Sequence, residues 1–167
     1  AYLGYYDPVT SLDRDDPGFR GMCSFLAQAL IKVPDDSNHA EWAKMGRDLL
    51  GTIIEHVVST PDYDEQPEQR NLFTVLNLLK KGRRDLQIQY CDELVEKGEL
   101  DKKDYNKRLE ELGDAYVLLF DEIAQNPHSA YLRDDGDKWR QSYLKTAKTF
   151  TSIRDEAVRG LDWITKD

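Results

Sequence analysis

The stretch that most limits how this chain folds is His39 to Val58, HAEWAKMGRDLLGTIIEHVV. Trp42, Met45, Leu49, Ile53 and Val57 recur at steps of three and four, and Leu50, Ile54 and Val58 widen the stripe. On a helix of 3.6 residues per turn these side chains share one side, so a long amphipathic helix with that side buried is predicted. Glu41, Lys44, Arg47, Asp48 and Glu55 fall mostly off the stripe. Ser37 is placed to cap this helix, because its hydroxyl accepts from a backbone N–H that lacks a helical partner.

The rest reads as helices gathered round this one. The 167 residues fit a single domain with a real core. Residues 1–16 form an extended leading segment, since proline blocks the preceding helical conformation, with Tyr2, Tyr5 and Tyr6 expected on the helices behind it. A first helix runs from about Pro17 to Ile31 and buries Phe19, Met22, Cys23, Leu26, Ala29 and Leu30. After the polar loop 59–70 comes a helix from Asn71 to Lys81, with Leu72, Val75, Leu76 and Leu79 inward and Gly82 ending it. The next, Arg84 to Lys97, buries Leu86, Tyr90, Cys91 and Leu94.

Tyr105, Leu109, Leu112, Tyr116, Leu119 and Ile123 alternate steps of four and three, a seam for one helix that Gly113 weakens and Asn126-Pro127 stops. HSAYLRDDG reads as a short turn or helical fragment. The last helix, Asp137 to Ile164, carries Trp139, Tyr143, Ala147, Phe150, Ile153, Ala157, Leu161 and Ile164 inward and would be about 40 Å long. No strand pattern or repeat intervenes. The expected fold is an all-α bundle of six to seven helices with a long C-terminal helix, in one domain spanning 1–167.

Charge narrows the partners. A net charge of -9 repels phosphate and favours basic partners. Cys23 and Cys91 both fall in helical patterns and read as reduced packing residues of a cytosolic protein, not as a disulfide or metal framework. No apolar run approaches the ~18 residues that span a bilayer, and no signal peptide is present, so no membrane contact is expected of this chain.

Catalytic constellations are not found. VLLFDEI, Val117 to Ile123, has the form of a Walker B strand. It lies within a helical seam, which would put Asp121 and Glu122 toward solvent, and no G-x-x-x-x-G-K-[ST] loop accompanies it. His39, His56 and His128 are far apart and read as surface or helix-end residues; no metal or cofactor is expected. No G-x-S-x-G elbow presents a nucleophile, so the chain is not read as an enzyme.

Binding is the remaining class. Asp62, Asp64, Glu65 and Glu68 form one acidic group beside Tyr63, and Asp134, Asp135 and Asp137 form another beside Trp139. Either group suits an Arg- or Lys-rich peptide, by charge pairing and cation–π contact. Lys80, Lys81, Arg83 and Arg84 make the one compact basic cluster and the alternative, a phosphate or DNA contact disfavoured by the overall acidity.

Several segments resemble a known family. EWAKMGRDLL (Glu41 to Leu50) and RNLFTVLNLL (Arg70 to Leu79), in that order and spacing, resemble helices of the coupling ATPases of type IV secretion systems. DPVTSL and FRGMCSFLAQALI are similar to the entry and first helix there, and KTAKTFTSIRDEA (Lys145 to Ala157) to the closing helix, while 85–135 is matched only in being helical. In that family a RecA-like motor carries a membrane anchor and an inserted all-α domain, and this chain resembles the inserted domain alone. A start at Ala rather than Met suits such an excision. The resemblance implies a cytoplasmic domain at the bacterial inner membrane that receives effector proteins or relaxase–DNA complexes. Its further partners would be the parent ATPase and other secretion components. An inserted domain would have its two ends, near Ala1 and Asp167, close together.

Overall fold

A computed structural model describes residues 7–35 and 37–165, the side chains of residues 37, 38 and 165 excepted. Tyr2, Tyr5, Tyr6, the Ser37 cap and the separation of the chain ends lie outside what is described. The described residues are all-helical, as expected, with eight α-helices and short 3-10 turns. They are α1 (Phe19–Leu30), α2 (Ser37–Ser59), α3 (Leu72–Lys81), α4 (Arg84–Glu96), α5 (Tyr105–Glu111), α6 (Ala115–Ala124), α7 (Ala130–Lys145) and α8 (Ala147–Gly160).

α2 is the centre. It packs against α1, α3, α7 and α8, and Leu49, Leu50, Ile53, Ile54 and Val57 are buried to 1% exposure or less. The stripe is narrower than expected at its start, where Met45 is exposed and Trp42 half-buried. At its end it disappears: every residue from Thr52 to Thr60 is buried. A helix half enclosed on all sides must pair its polar side chains within the protein.

Two expected helices are each broken in two. The seam from Tyr105 to Ile123 spans α5 and α6, separated at Gly113, whose φ of +83° is left-handed. Asp114 then starts α6 afresh, its carboxylate accepting the Tyr116 N–H at 2.8 Å. The long C-terminal helix is α7 and α8, parted at Thr146, whose backbone leaves the helical region (φ -142°, ψ 66°). α7 also starts earlier than expected, because the Ser129 hydroxyl caps it by accepting the Leu132 N–H. Ala147, expected inside, is exposed as the first residue of α8.

α6 and α7 press together at Gly136, where an added Cβ would lie 2.4 Å from the Ala124 nitrogen. Tyr116, Phe120, Tyr143 and Phe150 close the seam with α8 in tilted and edge-to-face pairs 5.1–6.4 Å apart.

The leading segment is partly ordered as a 3-10 turn, Pro8–Ser11, capped by Asp7. The other Asp7 oxygen accepts the Leu72 N–H at 2.8 Å, which ties this turn to the start of α3. α1 begins at Phe19, not at Pro17, and its Met22 and Ala29, expected inside, face outward.

α4 and α5 stand apart from the bundle and pack mainly on each other. Cys91 and Leu109 are buried between them, outside the main core. Tyr90, expected inside, is 41% exposed.

Candidate functional site

The enclosed half of α2 carries Glu55, His56 and Ser59, and their partners define two polar sites. The first is a cleft of about 290 Å³ between α1, α2 and α7. Glu55, expected off the buried side, is 3% exposed and forms the base of the cleft. Arg20 reaches it from α1, Nη1 to Oε2 at 2.8 Å, and its Nη2 donates to Asp135 of α7 at 2.7 Å. The guanidinium also lies 5.5 Å from the Tyr131 ring centroid. Burial pushes the Glu55 carboxyl up, and Arg20 opposes the rise. Asp48 lines the cleft with no ion-pair partner among the described residues. Cys23, next to this site, is raised to about 12 by burial and then by Glu55, so its thiol is unreactive near neutral pH.

The second site is a buried chain of hydrogen bonds whose directions follow from one another. The His128 N–H donates to Asn126 Oδ1 at 2.9 Å, so the Asn126 amide nitrogen faces the other way. That nitrogen donates to Ser59 Oγ at 3.2 Å, and Ser59 donates to the Glu55 carbonyl at 2.6 Å. It also lies 3.1 Å from His56 Nδ1, which must therefore accept, leaving the ring proton on Nε2. Nε2 makes no hydrogen bond and points toward Glu122 Oε2, 4.0 Å away.

The same carboxylate oxygen takes Arg83 Nη1 at 2.9 Å. Burial, then the Arg83 charge, lowers His56 to about 3, so the ring is neutral. Burial raises Glu122 to about 7 against the pull of Arg83. Both ring nitrogens of His56 face protein groups and the residue is 1% exposed, which leaves no open face for a substrate.

The sequence-predicted residues are placed unequally. Asp135 and Trp139 meet in the cleft, but Trp139 is 3% exposed and serves as its wall, not as an open aromatic surface. Asp134 and Asp137 point to solvent. Asp64 is already held by Arg14 at 2.9 Å and by Arg70, and those bonds keep its carboxyl below the usual range. Asp62 is 3.6 Å from Arg83, whereas Glu65 and Glu68 are exposed. Tyr63 is buried and offers no cation–π face.

The basic cluster does not form a patch. Arg83 is 5% exposed and turned inward to Glu122, Asp85 and Asp62, and Arg84 is half-buried on Gln87. Only Lys80 and Lys81 of the four are exposed. VLLFDEI is helical, with Asp121 paired to Arg140 at 2.8 Å and Glu122 turned in to Arg83, not out to solvent. His56, expected at the surface or a helix end, is 1% exposed, as enclosed as Asn126 of the same network.

Sequence reasoning missed Arg20, Glu55, His56, Glu122 and Asn126 as partners. The one local signal was spacing: Glu122 and Asn126 sit four apart, His56 and Ser59 three apart, as residues facing one neighbour do. Among the described residues no group of three or more His, Cys, Asp or Glu could hold a metal ion, and no helix is long and apolar enough to cross a membrane. No protein-family profile, curated protein or solved structure matches the chain.

Proposed function

We propose that this chain is a non-catalytic receptor domain that docks basic signal segments of proteins. Following the resemblance, it would be the all-α domain of a type IV secretion coupling protein. It would receive effectors or relaxases at the cytoplasmic face of the inner membrane and pass them to its motor and the secretion channel. The observation that carries the reading is the Arg20 guanidinium, held between Glu55 and Asp135 from two helices. The cleft accommodates a guanidinium, and Asp48, which lines it with no ion-pair partner among the described residues, is the carboxylate left for a second one. The net charge of -9 would speed the encounter with a basic segment.

The test is fluorescence anisotropy of a labelled arginine-rich C-terminal segment from a relaxase or effector. Binding is expected at low salt, weaker by roughly tenfold at about 0.5 M salt. Asp48→Asn should weaken it several-fold, and Lys80→Ala with Lys81→Ala should leave it unchanged. No binding at low salt ends the reading, and loss of binding in the lysine variant would shift the contact to the basic cluster.

A further inference from the structure

α1 is apolar on two sides. Phe19, Cys23 and Ala27 face the core, and Arg20 and Ser24 line the cleft. The side opposite carries Met22, Phe25, Leu26 and Ala29, at steps of three, one and three along about 10 Å of helix. Phe25 is 72% exposed and Met22 42%. With Pro8 and Leu12 these residues line a groove of about 390 Å³, larger in volume than the charged cleft. An amphipathic helix normally turns its second side to water with polar residues, so an apolar second side, exposed as a contiguous patch, marks a surface for contact.

The rim says what covers it. The turn between Leu12 and Gly18, both of which line the groove, carries Asp13, Asp15 and Asp16, all exposed. Asp13 Oδ1 accepts the Asp15 N–H and Asp16 Oδ1 accepts the Gly18 N–H, which fixes the turn. None of the three has an ion-pair partner among the described residues, while Arg14 between them is drawn away to Asp64. The groove is thus mostly apolar in its lining, and the turn that joins two of its lining residues, Leu12 and Gly18, carries three exposed carboxylates.

We infer that the outer side of α1 is a docking groove for an amphipathic segment of a partner protein, whose apolar residues lie on Met22 and Phe25 and whose basic end meets the Asp13–Asp16 turn. Apolar contact sets the affinity, and the charged end sets the direction in which the segment lies. This surface is separate from the Arg20 cleft and does not depend on what that cleft binds.

The probe is a synthetic helix of about four turns with leucines at i, i+3, i+4 and i+7 and lysines at one end, titrated into the isotope-labelled full chain. Its twin carries glutamates in place of the lysines. The lysine peptide should shift the Met22 methyl and Phe25 ring signals. Phe25→Ser should lower its affinity roughly tenfold or more without changing the thermal midpoint, since Phe25 contributes little to the core. The glutamate peptide should bind roughly tenfold more weakly at low salt, with the difference collapsing at about 0.5 M salt.

Equal binding of the two peptides, shifts confined to other helices, or no binding would overturn the inference. So would self-association of the wild type that Phe25→Ser abolishes, which would give the groove to a second copy. Binding that appears only when residues 1–6 are deleted would assign it to the chain's own start. A loss of signal-segment binding at the cleft would leave the groove result untouched.

Discussion

The bundle and the α4–α5 arm are made of the same kind of helix, yet they are held together differently. In the bundle, α2, α3 and α6 each bury three or more large apolar side chains in one continuous core, to which α8 adds Phe150 and Ile153. In the arm, α4 buries only Gln87 and Cys91, and α5 only Leu109. The arm meets the body through polar contacts at its base: Arg83 on Glu122, the Arg83 N–H on the Ala115 carbonyl at 3.0 Å, and Gln87 on the Gly113 carbonyl. Helical stability in proteins comes mostly from packing of a face, not from propensity. The two regions should therefore share a secondary structure and differ in cooperativity, the arm opening at lower free energy than the bundle.

The largest effect should come from the core. Phe120→Ala removes a fully buried ring from the α6–α7–α8 seam and should cost about 3–5 kcal/mol. In thermal unfolding the whole bundle should melt earlier. Leu109→Ala in the arm should cost about 2 kcal/mol, but locally. Amide exchange should rise across 84–112 with the bundle's protection unchanged. If both variants lower one shared transition, the two regions are a single cooperative unit and the comparison fails.

The joint between them carries a sharper test. Glu122 is raised from 4.5 to about 7, so between these values the folded protein holds a proton that the unfolded chain has lost. That contribution is full below 4.5 and declines as pH climbs to about 7. His56 is lowered from 6.5 to about 3, so there the unfolded chain holds the extra proton and stability rises with pH from about 3 to 6.5. The slopes oppose between 4.5 and 6.5, and each amounts to roughly 1.4 kcal/mol per pH unit. Urea unfolding should show their contributions nearly cancelling across that window, with a steep loss below it. Glu122→Gln should leave the His56 rise unopposed up to 6.5. A variant profile that parallels the wild type would mean that Glu122 does not titrate in the window.

The same contrast explains what was legible in the residues. The bundle could be read because its information is periodic: Leu49, Leu50, Ile53, Ile54 and Val57 mark one side of α2 whatever their neighbours do. The break at Thr146 is hidden for the same reason, since the steps of three and four run across it unchanged; they also run across Gly113, where only the glycine itself marks a weak point. The polar sites were not legible, because pairing across helices has no period. Glu55 and Arg20 are 35 residues apart, and His56 and Asn126 are 70 apart. Charge counting placed Arg83 at the surface, whereas the fold drew it in to Glu122. Acidic residues on loops read as open in the sequence, yet Asp64 is held by both Arg14 and Arg70.

The smallest effect is also the most selective. Gln87 is 4% exposed, and its amide donates to the Gly113 carbonyl at 3.1 Å, joining α4 to the turn between α5 and α6. Gln87→Ala removes that bond. Gly113 is exposed, so its carbonyl can turn to water, and the cost should stay near about 0.5–1 kcal/mol. Arg84 loses its Gln87 partner too, but it is half-buried and can also reach solvent. A change this small would vanish within a global unfolding curve. It should be visible in amide exchange of the arm, where the opening energy is low to begin with and about 0.5–1 kcal/mol alters the open population roughly two- to fivefold. The thermal midpoint of the bundle should not move. Were the midpoint to fall with the arm's protection, Gln87 would be part of the bundle's own cooperative structure, and the boundary between the two regions would have to be drawn beyond α4.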